Sequence, residues 1–161
     1  MPQNDEPNPR TRVLWADDDA LDDLQPIGTL LESRGLTVTV VTNYHKALQH
    51  LKDGLDRPPS ERFKTMLVDT MLPPDIRHAT VGNNLGLTLA LFAAKQNNLR
   101  SIVFCSVVPY GVVAAQFEAL VSSFPSIQFD YFQKTELFSG RRLDALAALL
   151  KDKEGGKEPL K

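Results

Sequence analysis

The sequence is poor in several features that mark common classes of protein. It has a single cysteine among 161 residues, so no disulfide can form within the chain, and this usage is typical of a reducing cytoplasm. The 18 basic and 20 acidic residues give a net charge of −2, which argues against a strongly basic nucleic-acid binder. The opening residues lack the apolar segment of a signal peptide, and the longest uncharged run, residues 101–117, is too short to cross a bilayer. We therefore expect a soluble, cytoplasmic protein without a membrane segment.

The length fits one folded domain flanked by two tails. Residues 1–11 are polar and proline-rich, which predicts a flexible N-terminal arm. Residues 151–161 are charged and contain a Gly-Gly pair, which predicts a disordered tail. We expect residues 12–150 to form the domain, with no separate DNA-binding or enzymatic output domain.

Five short apolar runs alternate with five helical segments between these tails. The runs are rich in β-branched and aromatic residues and are bounded by polar residues, which is typical of strands buried on both faces of a parallel sheet. The predicted strands are 13–16, 36–41, 66–68, 102–105 and 127–132. The predicted helices are 24–33, 44–51, 85–94, 112–121 and 137–150. Five successive β-α units predict a doubly wound, five-stranded parallel α/β domain.

Polar residues follow four of the five predicted strands. In sheets of this class, ligands bind beyond the carboxyl ends of the strands, so these residues are expected to act as a group. They are Asp17, Asp18 and Asp19 after the first strand, Asp69 after the third, Ser106 after the fourth and Lys134 after the fifth.

Such a set of groups suits the transfer of a phosphoryl group to a carboxylate. Neighbouring carboxylates repel each other, and Mg²⁺, which prefers oxygen ligands, relieves that repulsion. The metal and a lysine ammonium neutralise the charge on a transferring phosphoryl group. A carboxylate can then act as the nucleophile and become an aspartyl phosphate, while a hydroxyl donates a hydrogen bond to a phosphoryl oxygen.

The pattern resembles the receiver domain of two-component response regulators over nearly all of residues 12–150. VLWADDD, residues 13–19, resembles the first strand and acidic pair of that family. MLVDTMLP, residues 66–73, resembles its phosphoacceptor strand and the loop that follows. The resemblance implies a flavodoxin-like, CheY-like fold with strand order 2-1-3-4-5, and a signalling module rather than a turnover enzyme.

The resemblance also implies a role for each residue around the phosphoryl group. Asp69 would be the phosphoacceptor, and Ser106 and Lys134 would bind the phosphoryl oxygens. Tyr131 matches the aromatic switch residue of the family, whose ring moves inward when the hydroxyl of the residue at Ser106 is drawn to the phosphoryl group. That change would expose a new surface formed by the fourth helix, the fifth strand and the fifth helix.

A magnesium site is a further implication of the resemblance. Its ligands would be Asp17, Asp18, Asp69 and the main-chain carbonyl of Met71. The acidic pair has an alternative, Asp18 with Asp19, because the segment after the strand is one residue longer than in the family. The alanine that ends VLWA directly before Asp17 favours the first choice.

The sequence departs from the family at three further places. Residues 70–84 form an unusually long loop after Asp69, and we expect Gly86 to take the place of the glycine that ends the shorter loop. Thr135 stands where the family has a cis-proline after the lysine, so the bond before Thr135 is expected to be trans. Val107 stands where the family prefers alanine or glycine.

The sequence is compatible with three functions. The first is a single-domain response regulator that takes a phosphoryl group from a histidine kinase or phosphotransfer protein and then binds a downstream protein. The second is a degenerate receiver that acts as an adaptor without phosphorylation, as the departures at Val107 and Thr135 suggest. The third is a small Mg²⁺-dependent phosphohydrolase. Such an enzyme would have a general acid two residues after Asp69, but that position holds Met71, which argues against this function.

The fourth predicted helix has an unusually wide apolar stripe. Residues 112–121 contain few polar positions, so the apolar surface of this helix is wider than one core-facing side requires. Two readings stay open here: a generously packed core helix, or a surface for a homodimer or another partner.

Overall fold

Five parallel strands form a single sheet in the computed structural model, which describes residues 11–18, 25–73, 85–96, 99–135 and 140–150. The strands are β1 (Thr11–Ala16), β2 (Leu36–Val41), β3 (Thr65–Val68), β4 (Ser101–Ser106) and β5 (Gln128–Gln133). Their order across the sheet is β2-β1-β3-β4-β5, and each neighbouring pair is parallel. The predicted α/β class and the 2-1-3-4-5 order are therefore confirmed.

One α-helix follows each strand along the chain and packs against the sheet. The helices are α1 (Gln25–Ser33), α2 (Tyr44–Gly54), α3 (Leu85–Gln96), α4 (Tyr110–Ser123) and α5 (Gly140–Leu150), with a short 3-10 turn at Pro59–Glu61. Most predicted bounds are close, but α4 is two residues longer at each end than predicted. Its start at Tyr110 reflects Pro109, whose extended backbone (φ −63°, ψ 144°) forms the N-cap. Residues 1–10 of the predicted N-terminal arm and the predicted tail, residues 151–161, lie outside the described residues. Thr11, predicted as the last residue of the arm, is instead the first residue of β1.

The two faces of the sheet are covered by different helices. In β1, Leu14 and Ala16 belong to the apolar cluster that includes residues of α2, α3 and α4. The alternating residues Val13 and Trp15 belong to the cluster that includes residues of α1 and α5. Because successive side chains of a strand point to opposite faces, the apolar run of β1 supplies both cores.

The strand register places the first polar residue after β1 beside the first after β3. Ala16 pairs with Val68, and the amide of Asp69 donates a hydrogen bond to the carbonyl of Ala16 at 2.9 Å. On the other side, the amide of Asp17 donates to the carbonyl of Val41 at 3.0 Å. Asp17 and Asp69 are thus held by backbone pairing at the carboxyl edge of the sheet.

Gly86 packs directly on the backbone that follows β3. Its amide donates to the carbonyl of Thr70 at 3.1 Å. A Cβ atom at this position would lie 1.9 Å from the carbonyl oxygen of Asp69 and 2.7 Å from the Cα atom of Thr70. No side chain fits there, which gives a physical reason for the glycine expected after the long loop. Residues 74–84 of that loop lie outside the described part of the chain.

Replacing Gly86 with alanine is expected to lower the free energy of unfolding by roughly 2 kcal/mol or more, because the backbone must shift to admit the methyl group. The matched control is Gly111→Ala, also at the second residue of a helix, where a Cβ atom meets nothing within 4 Å. That control should be neutral or stabilising by about 0.5–1 kcal/mol. Urea denaturation measures both variants, and equal unfolding free energies would contradict the steric argument.

Candidate functional site

Three aspartates meet at the carboxyl edge of the sheet, where β1 and β3 end. Asp17, Asp18 and Asp69 each offer a carboxylate oxygen, and these oxygens lie within 4.8 Å of one another. Asp17 and Asp69 are buried, whereas Asp18 is half-buried. Carboxylates this close repel, so the cluster requires a cationic partner. Asp19, the other candidate for the acidic pair, lies outside the described residues.

Lys134 supplies a positive charge from the end of β5. Its Nζ atom lies 2.9 Å from Asp17 Oδ2 and donates hydrogen bonds to Asp17 Oδ1 at 3.1 Å and to Asp69 Oδ2 at 3.0 Å. The lysine is only 6% exposed, so these contacts are shielded from water. The chain has no cis peptide bond among the described residues, and Thr135 therefore follows through a trans bond, as expected. The missing proline does not keep the ammonium from the carboxylates.

The same contacts decide the charge state of Lys134. Burial by itself lowers the pKa of the ammonium, but Asp17 and then Asp69 raise it through their charges and hydrogen bonds, and the net pKa lies above the ordinary lysine value. The stabilisation from this raised pKa is complete below the unfolded-state pKa of about 10.4 and is lost as pH rises through the higher folded-state pKa. Lys134 is therefore a fixed cation throughout the neutral range.

Two buried hydroxyls lie beside the aspartates. Ser106 is the last residue of β4 and Thr70 directly follows Asp69; both are fully buried. Their oxygens are 2.7 Å apart, and Ser106 Oγ also accepts a hydrogen bond from the Val108 amide at 3.1 Å. Ser106 was a candidate from sequence, whereas Thr70 was missed. The only sequence signal for Thr70 is a hydroxyl residue next to the candidate nucleophile.

Tyr131 connects this edge of the sheet with α4. Its hydroxyl donates a short hydrogen bond to the carbonyl of Val108. Its half-buried ring packs against Phe104, Tyr110 and Phe117, with ring centroids 6.2, 5.5 and 6.1 Å away. Burial raises the pKa of Tyr131 above its ordinary value, while the Ser106 and Thr70 hydroxyls act in the opposite direction. The ring thus reaches both the hydroxyl pair and the aromatic side of α4.

Met71, Val107 and Cys105 are the chain neighbours of Thr70 and Ser106, and they differ in exposure. The amide of Met71 donates to Asp69 Oδ1 at 3.0 Å, and its side chain is exposed; the ligand role of its carbonyl stays a prediction. Val107 follows Ser106 in the chain and is 60% exposed. Cys105 is buried in β4, and burial foremost raises the pKa of its thiol, so it is not suited to act as a nucleophile.

Comparison with solved structures identifies the fold. The BeF3-activated N-terminal receiver domain of RstA from Klebsiella pneumoniae is similar, with a TM-score of 0.59 and 18% identity over 87% of this chain and 97% of that one. A response regulator receiver protein from Sinorhizobium medicae gives a TM-score of 0.59 and 23% identity over 88% and 94% of the two chains. This chain has the fold of a receiver domain.

A CheY-like receiver domain protein from Methanospirillum hungatei has the same fold, with a TM-score of 0.57 and 18% identity over 87% of this chain and 98% of that one. Sequence comparison adds no closer relationship, because no protein-family model and no curated protein matches the chain. Among the described residues, no helix is both long and apolar enough to cross a membrane.

Replacing Lys134 with methionine is expected to lower the free energy of unfolding by about 3 kcal/mol at neutral pH without divalent metal, because Asp17 and Asp69 lose their buried cation. The advantage of the wild type should persist to about pH 10 and shrink above it, as the lysine deprotonates. The control is Lys95→Met on the exposed side of α3, expected to stay within about 0.5 kcal/mol of the wild type. Urea denaturation with a chelator measures both variants; wild-type stability of Lys134→Met would contradict the ion-pair argument.

Proposed function

We propose that this protein is a response regulator receiver. It accepts a phosphoryl group on Asp69 from a histidine kinase or phosphotransfer protein, with Mg²⁺, and signals by contacting another protein. The observation that carries the proposal is the buried contact of the Asp69 carboxylate with Lys134, beside Asp17 and Asp18, at the carboxyl edge of a receiver-type sheet.

Asp69 is suited to act as the nucleophile. One of its carboxylate oxygens forms a bond to phosphorus while the bond from phosphorus to the donor breaks, and the donor leaves with the electron pair. Lys134 holds a fixed positive charge 3.0 Å from Asp69 Oδ2, where the charge of the phosphoryl group would develop. The Ser106 hydroxyl, at the end of β4 beside β3, would donate a hydrogen bond to a phosphoryl oxygen.

The donor set fits Mg²⁺. All three side chains of the cluster offer oxygen, their oxygens lie within 4.8 Å of one another, and Asp18 is partly open to water. Asp17, Asp18, Asp69 and the carbonyl of Met71 would hold the ion. When bound, Mg²⁺ supplies charge neutralisation to the transferring phosphoryl group.

The output surface we propose is formed by the exposed apolar residues of α4 and of the turn before it. Val107, Tyr110, Val112 and Val121 are 60%, 38%, 68% and 41% exposed, whereas Val113 and Leu120 face the core. Much of the wide apolar stripe of α4 is therefore on the surface, which supports a contact with a downstream protein or a second copy of the chain. Tyr131 would couple this surface to the site, because its ring contacts Tyr110 and Phe117 of α4.

Phosphorylation itself is the first test. Incubation with Mg²⁺ and acetyl phosphate is expected to add about 80 Da, the mass of one phosphoryl group, through an acyl phosphate on Asp69. Intact-protein mass spectrometry should show no adduct in Asp69→Asn or with a chelator, while the control Asp53→Asn, on the exposed side of α2, retains it. The absence of any adduct would favour the phosphorylation-independent adaptor. Repeated release of phosphate would favour a phosphohydrolase.

Metal binding can be measured without phosphorylation. Trp15 is the only tryptophan, is 1% exposed and lies two residues before Asp17, so its fluorescence should report an ion at the aspartates. Asp18→Asn is expected to weaken Mg²⁺ binding by about tenfold or more through loss of a ligand charge. Asp53→Asn serves again as the control with unchanged affinity. Equal Mg²⁺ midpoints in the wild type and Asp18→Asn would count against this ligand set.

A further inference from the structure

We propose that Thr70 is a positioning residue for Ser106: its hydroxyl holds the Ser106 hydroxyl so that the serine proton is available to a phosphoryl oxygen on Asp69. The role in phosphorylation rests on the function proposed above, whereas the pairing of the two hydroxyls does not.

The contact between the two residues is enclosed on all sides. Thr70 and Ser106 are each 0% exposed, and their oxygens are 2.7 Å apart, the usual distance for a hydrogen bond between hydroxyls. A buried hydroxyl without a hydrogen-bond partner lowers the stability of the fold. Thr70 and Ser106 each supply such a partner to the other. Thr70 is also tied at its backbone, since its carbonyl accepts from the amide of Gly86 at 3.1 Å. It is therefore a fixed support for the serine.

The hydrogen-bonding capacity of a hydroxyl indicates what this support does. A serine oxygen has two acceptor sites and a single proton to donate. One acceptor site of Ser106 receives the Val108 amide at 3.1 Å. When Thr70 donates its own proton, it takes the second site, and the Ser106 proton stays available for another acceptor. A negatively charged phosphoryl group on Asp69 favours this arrangement, because an anion is the stronger acceptor.

Thr70 also lies close to the Tyr131 side of the site. The Thr70 and Ser106 hydroxyls both favour the ionised form of the Tyr131 hydroxyl, against the effect of burial. Tyr131 in turn donates to the carbonyl of Val108, the residue whose amide donates to Ser106. Loss of the Thr70 hydroxyl is therefore expected to weaken the hydrogen bonds of Val108 as well as those of Ser106.

The decisive variants are Thr70→Val, which keeps the shape and removes the hydroxyl, and Thr70→Ser, which keeps the hydroxyl. The first readout is hydrogen exchange at the Val108 amide in the unphosphorylated protein, and the second is the rate of adduct formation with acetyl phosphate. Thr70→Val should speed the exchange and slow phosphorylation about fivefold, the worth of one ordinary hydrogen bond. Thr70→Ser should restore both, and Thr88→Val, at an exposed position of α3, should change neither.

A double-mutant cycle tests whether Thr70 acts through Ser106. In a Ser106→Ala background, Thr70→Val is expected to cause no further slowing, because its partner hydroxyl is already gone. An undiminished fivefold effect in that background would overturn the proposal. If thermal melting shows that Thr70→Val does not fold, Thr70→Ala removes the same hydroxyl and takes its place.

The two readouts separate this proposal from the proposed function. If the wild type is phosphorylated and Thr70→Val matches it in rate and in Val108 exchange, the positioning role is wrong and the receiver function stands. If the wild type takes up no phosphoryl group, the receiver function is wrong. Hydrogen exchange at the Val108 amide then tests the pairing of the two hydroxyls by itself. Faster exchange restored by serine would then support the pairing, and unchanged exchange would overturn it.

Discussion

The buried contact of Lys134 with Asp17 and Asp69 is the constraint on which the rest of this site depends. Two carboxylates with almost no exposure cannot stay ionised side by side without a cation, and the ammonium lies within 3.1 Å of both. The three groups come from three strands, so the contact exists only when the parallel sheet has formed. The burial of these charges and the chemistry proposed for Asp69 therefore both depend on the register of the strands.

The site is linked to the surface through hydroxyls and aromatic rings. Thr70 and Ser106 share a buried hydrogen bond, and Ser106 accepts from the amide of Val108. Tyr131 donates to the carbonyl of Val108 and packs on Phe117 of α4. Through these contacts, the change of charge that we propose at Asp69 would reach the residues of α4 that pack on Tyr131, as a phosphorylation signal requires.

Much of this architecture could be predicted because it follows from local patterns. Five apolar runs of strand length alternate with helical periods, and this alternation predicts a doubly wound sheet. Polar residues after the strands were predicted to meet, because parallel strands bring their carboxyl ends to one edge. Asp17, Asp69, Ser106 and Lys134 were found in this way. The role assigned to each of these four residues stays a prediction, as do the ligand roles of Asp18 and Met71 and the switch role of Tyr131.

The sequence by itself determined the fold class and the residue types at the strand ends, since both depend on spacing along the chain. Only the tertiary structure decided which atoms touch. Lys134 and Asp17 are 117 residues apart, and no local pattern specifies that their charged atoms meet. The Thr70 hydroxyl finds Ser106 only through the pairing of β3 with β4, and Gly86 is required only because α3 lies against the backbone of Asp69. Contacts between distant segments depend on packing in three dimensions, which periodicity along one strand or helix does not contain.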